Sequence, residues 1–210
     1  MRVLIVDDHA VVRRGLQQIV LDEYKDLVFG EAKNGQEALE LVRHQEWDVV
    51  ILDISMPGRS GLDVLKDIKK ARPNTPVLVL SIHPEDQFAV RVLKAGASGY
   101  MTKETAPEEL VSAVNKVVAG GNYVSEAFAE ILASDLQRDA SEVSLHKRLS
   151  DREYEVMIKI ASGKTVSEIA EELSLSVKTI STYRARVLEK INMKGNAELT
   201  RYAIKHGLVD

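Results

Sequence analysis

Residues 49–61 read VVILDISMPGRSG. The run Val49–Leu52 is apolar throughout and ends on an acid, Asp53. An unbroken run rich in Val and Ile is how a strand reads when both of its faces are buried. Met56-Pro57 and Gly61 follow, a rigid turn with a permissive glycine. Working outward, similar runs lie at Val3–Val6, Leu27–Phe29, Val77–Leu80 and Ser98–Met101. Amphipathic stretches separate them. Leu110, Ala113, Val114, Val117 and Val118 follow helical spacing. Thr105 with Glu108 reads as a capping box in front of them, and Gly120-Gly121 as the stop behind. Five strand-to-helix alternations predict a doubly wound α/β domain with a five-stranded parallel sheet over residues 1–121.

The rhythm breaks at 122–148. Ser125 to Leu136 can form a short helix, whereas 137–147 (QRDASEVSLHK) is polar and aperiodic, so this stretch reads as a linker. From Leu149 to the end the pattern is purely helical. Ser150 with Glu153 and Thr165 with Glu168 form capping boxes, Ser176 caps a longer helix reaching about Ile191, and a fourth helix covers 196–206. Gly163 and Gly195 punctuate. Two short helices, a tight turn and a longer basic helix are the order of a helix-turn-helix, predicting an all-α four-helix domain over 149–210.

Charge divides along the same line. Residues 145–210 hold 12 Lys/Arg against 9 Asp/Glu, and the remainder 16 against 23. An acidic front and a basic tail suggest separate tasks. Cysteine is absent, which excludes disulfides and thiolate chemistry and fits a reducing cytoplasm. No apolar stretch approaches the ~20 residues that span a bilayer, and the start, MRVLIVDDHA, turns acidic too early for a signal peptide. The expectation is a cytoplasmic protein without membrane partners.

In a parallel α/β domain, ligand chemistry occurs beyond the carboxyl ends of the strands. Asp7 and Asp8 end the first strand, Asp53 the third and Ser81 the fourth, while Lys103 follows the fifth. Three carboxylates crowded together need a cation, and hard oxygen ligands favour Mg²⁺, which keeps waters that phosphate oxygens can replace. A carboxylate so placed can attack phosphorus, with Lys103 and Ser81 stabilising the transferring group. Singly, each residue has an ordinary role: a strand-end Asp caps helices or turns, and a lone Lys is a surface cation. The joint placement at one sheet edge argues otherwise. His9 and His83 have neither Cys partners nor paired spacing, which speaks against a transition-metal site. A dinucleotide site would need G-x-G-x-x-G where Asp7-Asp8-His9 stands. An Asp-nucleophile phosphatase of the haloacid dehalogenase kind carries a second Asp two residues after the first, where this chain has Ser55.

VLIVDDH, VVILDISMPGRSG, LVLS and GYMTK, in this order over residues 1–121, resemble the signature segments of response-regulator receiver domains. The resemblance implies a flavodoxin-like strand order 2-1-3-4-5. It also implies that Asp53 accepts a phosphoryl group from a sensor histidine kinase. Mg²⁺ would be held by Asp8 and Asp53, by the backbone carbonyl of Ser55, and by Asp7 through water. Ser81 and Tyr100 would be the switch pair, and Ser55 and His83 would tune autodephosphorylation. No other substrate would be turned over.

In the third C-terminal helix, SVKTISTYRARVLEKI, Ile180, Tyr183, Val187 and Ile191 share one face and should pack against Ile169 and Val156. Lys178, Ser181, Thr182 and Ala185 lie opposite, flanked by Arg184 and Arg186. A solvated amphipathic helix would look alike. The segments LSDREYEVM and SEIAEELSLSVKTIS, however, resemble the LuxR-type helix-turn-helix, so both halves together resemble the NarL/FixJ family of response regulators. TYRARVLEKIN and AELTRYAIKHGL are similar to the GacA/UvrY group within it. The resemblance implies contacts to double-stranded DNA through Lys178, Thr179, Ser181, Thr182, Arg184, Ala185 and Arg186. It further implies a homodimer on phosphorylation, with the fourth helix either dimerising or closing its own core. Two other readings stay open: a DNA-binding protein indifferent to phosphorylation, and a phosphate sink or adaptor.

Overall fold

The computed structural model describes residues 1–24, 26–57, 59–82, 85–125, 128–130 and 145–209. The chain forms two compact units, Met1–Asp135 and Leu136–Asp210. The first contains β1 (Arg2–Val6), β2 (Val28–Ala32), β3 (Val49–Asp53), β4 (Val77–Ser81) and β5 (Gly99–Thr102), all parallel and in the order 2-1-3-4-5. Between and after them run α1 (Ala10–Glu23), α2 (Gly35–His44), α3 (Gly61–Ala71), α4 (Glu85–Lys94) and α5 (Ala106–Val118).

Burial explains how the strands read. Every residue of β3 and β4 is buried, so each is apolar until its last, functional position. Ile5, Ile51, Leu80 and Met101 pack into one cluster with Leu16 and Val20 of α1 and Leu110, Val114 and Val117 of α5. Each such burial contributes roughly 1.5–3 kcal/mol. Residues of the other parity face the opposite way, where α3 meets β3 and α4 meets β5. The edge strand β2 departs from the expected Leu27–Phe29. It begins at Val28 and continues through Gly30 and Glu31 to Ala32, because an edge strand is only partly covered and carries no unbroken apolar run. β5 likewise runs from Gly99 to Thr102 rather than from Ser98.

Two local expectations need correction. Thr105 makes no capping box: its backbone is already helical, at φ −85° and ψ −14°, and its side chain caps nothing. Its hydroxyl turns back to the Thr102 carbonyl, while the Glu108 amide donates to the Thr105 backbone carbonyl. Gly61 is required by contact rather than by turn freedom. A Cβ there would lie 2.5 Å from Ile54 Cα and 2.6 Å from its carbonyl oxygen. The start of α3 thus sits directly on the backbone that follows Asp53.

The first described element of the second unit is a 3₁₀ turn, Leu145–Arg148, followed by α6 (Asp151–Ala161), α7 (Val166–Glu172), α8 (Val177–Lys190) and α9 (Asn196–Lys205). Ser150–Glu153 and Thr165–Glu168 close both halves of their capping boxes, and Ser176 accepts from the Thr179 amide. Ser174 makes the tight turn before α8 in a left-handed conformation, φ 50°. α8 packs against α6 and α7, and α9 against α6. Val156, Ile169, Ile180, Val187 and Ile191 are buried there as expected, whereas Tyr183 is only half-buried. Leu199 and Ala203 of α9 are fully buried, so that face closes its own core and leaves Ile204 exposed. Of the helix expected over 125–136, Phe128–Glu130 is helical and 131–136 lies outside the described residues.

Gly61→Ala should destabilise the chain by about 1–3 kcal/mol, since the clash is with backbone that cannot rotate away. Urea unfolding followed by Trp47, the single tryptophan, measures it. A variant as stable as wild type would show that α3 can shift at no cost.

Candidate functional site

The carboxyl ends of β1, β3, β4 and β5 bring the acidic residues together. Lys103 Nζ donates to Asp7 Oδ2 and to Asp53 Oδ2, each at 2.7 Å. The other oxygen of Asp53 accepts from the Ser55 amide at 2.8 Å, and Asp7 Oδ1 accepts from the His9 amide at 2.7 Å. Asp7 and Asp53 are each only 1% exposed. Ser81 is fully buried and follows Leu80, the register partner of Asp53. Its carbonyl accepts from the Lys103 amide at 2.8 Å, which fixes the lysine against the end of β4.

Burial pushes the Asp53 carboxyl up to about 6. The Lys103 charge and hydrogen bond pull it down, and the neighbouring Asp7 adds to the rise. For Lys103, burial works against the ammonium, but Asp53 and Asp7 outweigh it and the lysine is raised. One cation therefore serves two buried acids, and Asp8 adds a third beside them. Asp7, Asp8, His9 and Asp53 offer ligand atoms that all lie within 4.8 Å of one another. Asp8 Oδ1 is buried without a hydrogen bond, with His9 Nδ1 at 3.1 Å. An acceptor buried without a donor is costly. The three carboxylates, with such an orphan among them, fit a hard divalent cation.

In the second unit, α8 turns two parallel rows outward at i, i+4, i+8 spacing. One is Val177, Ser181, Ala185 and the other Lys178, Thr182, Arg186; all six are exposed. Thr179 is half-buried, its hydroxyl 2.7 Å from that of Ser176. Arg184 is also half-buried, and its Nε donates to Asn196 Oδ1 at 2.7 Å.

Residues 3–115 match the response regulator receiver domain, and residues 147–203 the bacterial regulatory proteins of the luxR family. The chain is 40% identical to the response regulator UvrY of Escherichia coli K12 over 207 residues, 98% of this chain and 94% of that one. The chain belongs to the response regulators with a LuxR-type DNA-binding domain. It is also 38% identical to the response regulator GacA of Pseudomonas aeruginosa, over 100% of this chain and 98% of that one. Among solved structures it is similar to RcsB of Salmonella enterica serovar Typhimurium bound to promoter rprA with the phosphomimetic BeF3-. The TM-score there is 0.63 at 27% identity, covering 96% of this chain and 98% of that one. The regulator's function is phosphorylation-controlled regulation of transcription.

Of the residues expected at the regulator's receiver site, Asp7, Asp8, Asp53, Ser55, Ser81 and Lys103 stand at or beside one sheet edge. Tyr100 lies within β5, opposite Val79 of β4 in register and fully buried. His83 lies outside the described residues. Sequence reading missed Arg13, whose guanidinium donates to the Asp7 carbonyl at 2.8 Å and to Glu31 at 2.9 Å. Its signal was faint: a basic residue in the first turn of α1, where acids are usual. Among the described residues, no helix is long and apolar enough to cross a membrane.

The raised Asp53 carboxyl has a consequence for stability. Between the unfolded value near 4 and the folded value of about 6, the folded state holds the extra proton, so metal-free stability falls as pH rises through this window. Above it, Asp53→Asn should be more stable than wild type in chelator by about 3 kcal/mol, with the difference vanishing below about pH 4. Thermal melts across pH test this. A constant difference at all pH values would remove the titration of Asp53 as its source.

Proposed function

We propose that Asp53 is the phosphoacceptor and that its modification controls binding of α8 to duplex DNA. The observation that carries this is Lys103 bridging Asp53 and Asp7 beside the unpartnered Asp8 oxygen. A carboxylate oxygen of Asp53 attacks the phosphorus of a histidine kinase's phosphohistidine. The nitrogen–phosphorus bond breaks, and the imidazole leaves with the electron pair and takes up a proton. Lys103 steadies the charge on the transferring oxygens and keeps Asp53 ionised for attack. Asp8, Asp53, the Ser55 carbonyl and Asp7 through water would hold Mg²⁺. When bound, the ion neutralises the acidic cluster and the incoming phosphoryl charge. Ser81 hydrogen-bonds the acquired phosphoryl group, and Tyr100 responds to that movement. Ser55 and His83 set how quickly water removes the group. This self-phosphorylation and autodephosphorylation is the whole of the regulator's catalysis, so it is not an enzyme in the ordinary sense.

The test uses acetyl phosphate. Wild type should gain one phosphoryl mass with Mg²⁺ and none in chelator, and Asp53→Asn should gain none. Modification of Asp53→Asn to the same extent, or transfer from neither acetyl phosphate nor a kinase, would sink the assignment.

Toward DNA, α8 enters the major groove with Ser181, Thr182 and Ala185 over the bases, and Lys178, Thr179, Arg184 and Arg186 toward the backbone. RcsB is described bound to promoter DNA and, in another structure, as two dimers on two DNAs. By that likeness the regulator pairs on phosphorylation, and the exposed Ile204 of α9 gives a second copy an apolar contact. A kinase partner, a DNA target and the cysteine-free chain support a cytoplasmic location. Arg184→Ala should weaken binding to all duplexes alike and flatten the log K against log salt slope by about one. Asn196→Ala, which frees the cation but keeps it, should change the slope little. Fluorescence anisotropy across salt measures both. A changed sequence preference at unchanged slope for Arg184→Ala would overturn its backbone role.

A further inference from the structure

The first residue of α8, Val177, has no structural explanation in its own unit. It is 51% exposed, so it is not core. It is β-branched, which a helix tolerates rather than favours. The positions that would staple the start of the helix are Leu175 and Ile180, on either side of it. Ser176 supplies the cap. Val177 instead heads the uncharged row Val177, Ser181, Ala185, beside the row Lys178, Thr182, Arg186.

Thr182 belongs to the same chemistry. Its hydroxyl donates to the Lys178 carbonyl at 2.9 Å. The donor is spent inside the helix, and the methyl is left as the outward group. Val177, Thr182 and Ala185 therefore turn methyl groups outward. None of the exposed positions Val177, Ser181, Thr182 and Ala185 carries the Arg, Asn or Gln that reads guanine or adenine through paired hydrogen bonds. In the major groove, the partner for an apolar side chain is the 5-methyl group of thymine. Lys178 and Arg186 alongside match a phosphate backbone in charge.

We infer that Val177 is a specificity-determining residue that reads a thymine methyl group at the edge of each half-site. This rests on α8 being the DNA-reading helix. Burying one methyl group is worth about a three- to fivefold change in affinity.

The full chain, treated with acetyl phosphate and Mg²⁺, selects from a random duplex library. The best duplex is then remade with deoxyuridine in place of thymine, one position at a time. This removes the methyl group and keeps every hydrogen-bonding group. At one thymine per half-site, the replacement should weaken wild type about three- to fivefold. Val177→Ala should bind both versions equally at that position, and Val177→Thr, which keeps one methyl, should lie between. The residue is exposed, so the variants should fold; circular dichroism verifies it. Equal binding of wild type to every deoxyuridine duplex would overturn the inference, as would undiminished thymine sensitivity in Val177→Ala. Selection of no preferred sequence by a chain that still binds DNA would overturn it alone. Wild type that binds no duplex at low salt would overturn the proposed function with it.

Discussion

A single ammonium group shared by two buried carboxylates is the constraint on which the first unit turns. Asp7 and Asp53 end neighbouring strands, and each is almost wholly withdrawn from water. Two such charges side by side repel strongly in a medium of low dielectric. Lys103 holds them together, reaching across from the strand after next. The sheet order is therefore part of the chemistry: the acids stand on adjacent central strands, and the cation follows an outer one. Desolvation still exceeds what Lys103 returns, since the Asp53 carboxyl remains at about 6. The site is built to want more positive charge than the chain supplies. A stability optimum would pair every acid, so the deficit is the expected mark of a binding site.

Much of this was legible because burial imposes simple patterns. β3 and β4 lie between helices on both faces, so their residues had to be apolar, and the first polar residue marked the functional edge. The helix caps of the second unit were equally plain, because a Ser or Thr with Glu three residues on is a local device that needs no tertiary contact. The failures have one cause. β2 is an edge strand and Thr105 sits in a turn tied back to Thr102, so both answer to surroundings that local pattern does not contain. Gly61 was noticed for the wrong reason, since only the folded chain brings Ile54 over its Cα. Arg13 was missed because its partner is a backbone carbonyl, which every residue has.

The two units meet their stability needs differently. The first relies on an apolar sheet covered by helices. The second is small and strengthens its helix ends: two capping boxes, the Ser176 cap, and Lys190 paired with the cap residue Glu153 at 2.6 Å. That last contact ties the end of α8 to the start of α6. Such reinforcement suits a helix whose outward rows are kept for another molecule, because those rows contribute little to folding and the remaining face must hold the helix alone.

Continuity of the chain limits how the acidic edge can inform the rest. Lys103 directly follows β5, and Tyr100 lies within that strand. On the outer edge of β5, the Tyr123 amide donates to the Ser98 carbonyl at 2.8 Å and Tyr123 bridges to Gly99. The Tyr123 hydroxyl is tied to Glu109 of α5 at 2.7 Å. The segment after α5 is thus hydrogen-bonded to the strand that holds Tyr100 and leads into Lys103. Tyr100 is fully buried. On the function proposed above, the inward position of Tyr100 is one of two states, and phosphorylation has only to favour it. Differential affinity between existing states is sufficient for that, and a few kcal/mol moves the balance decisively.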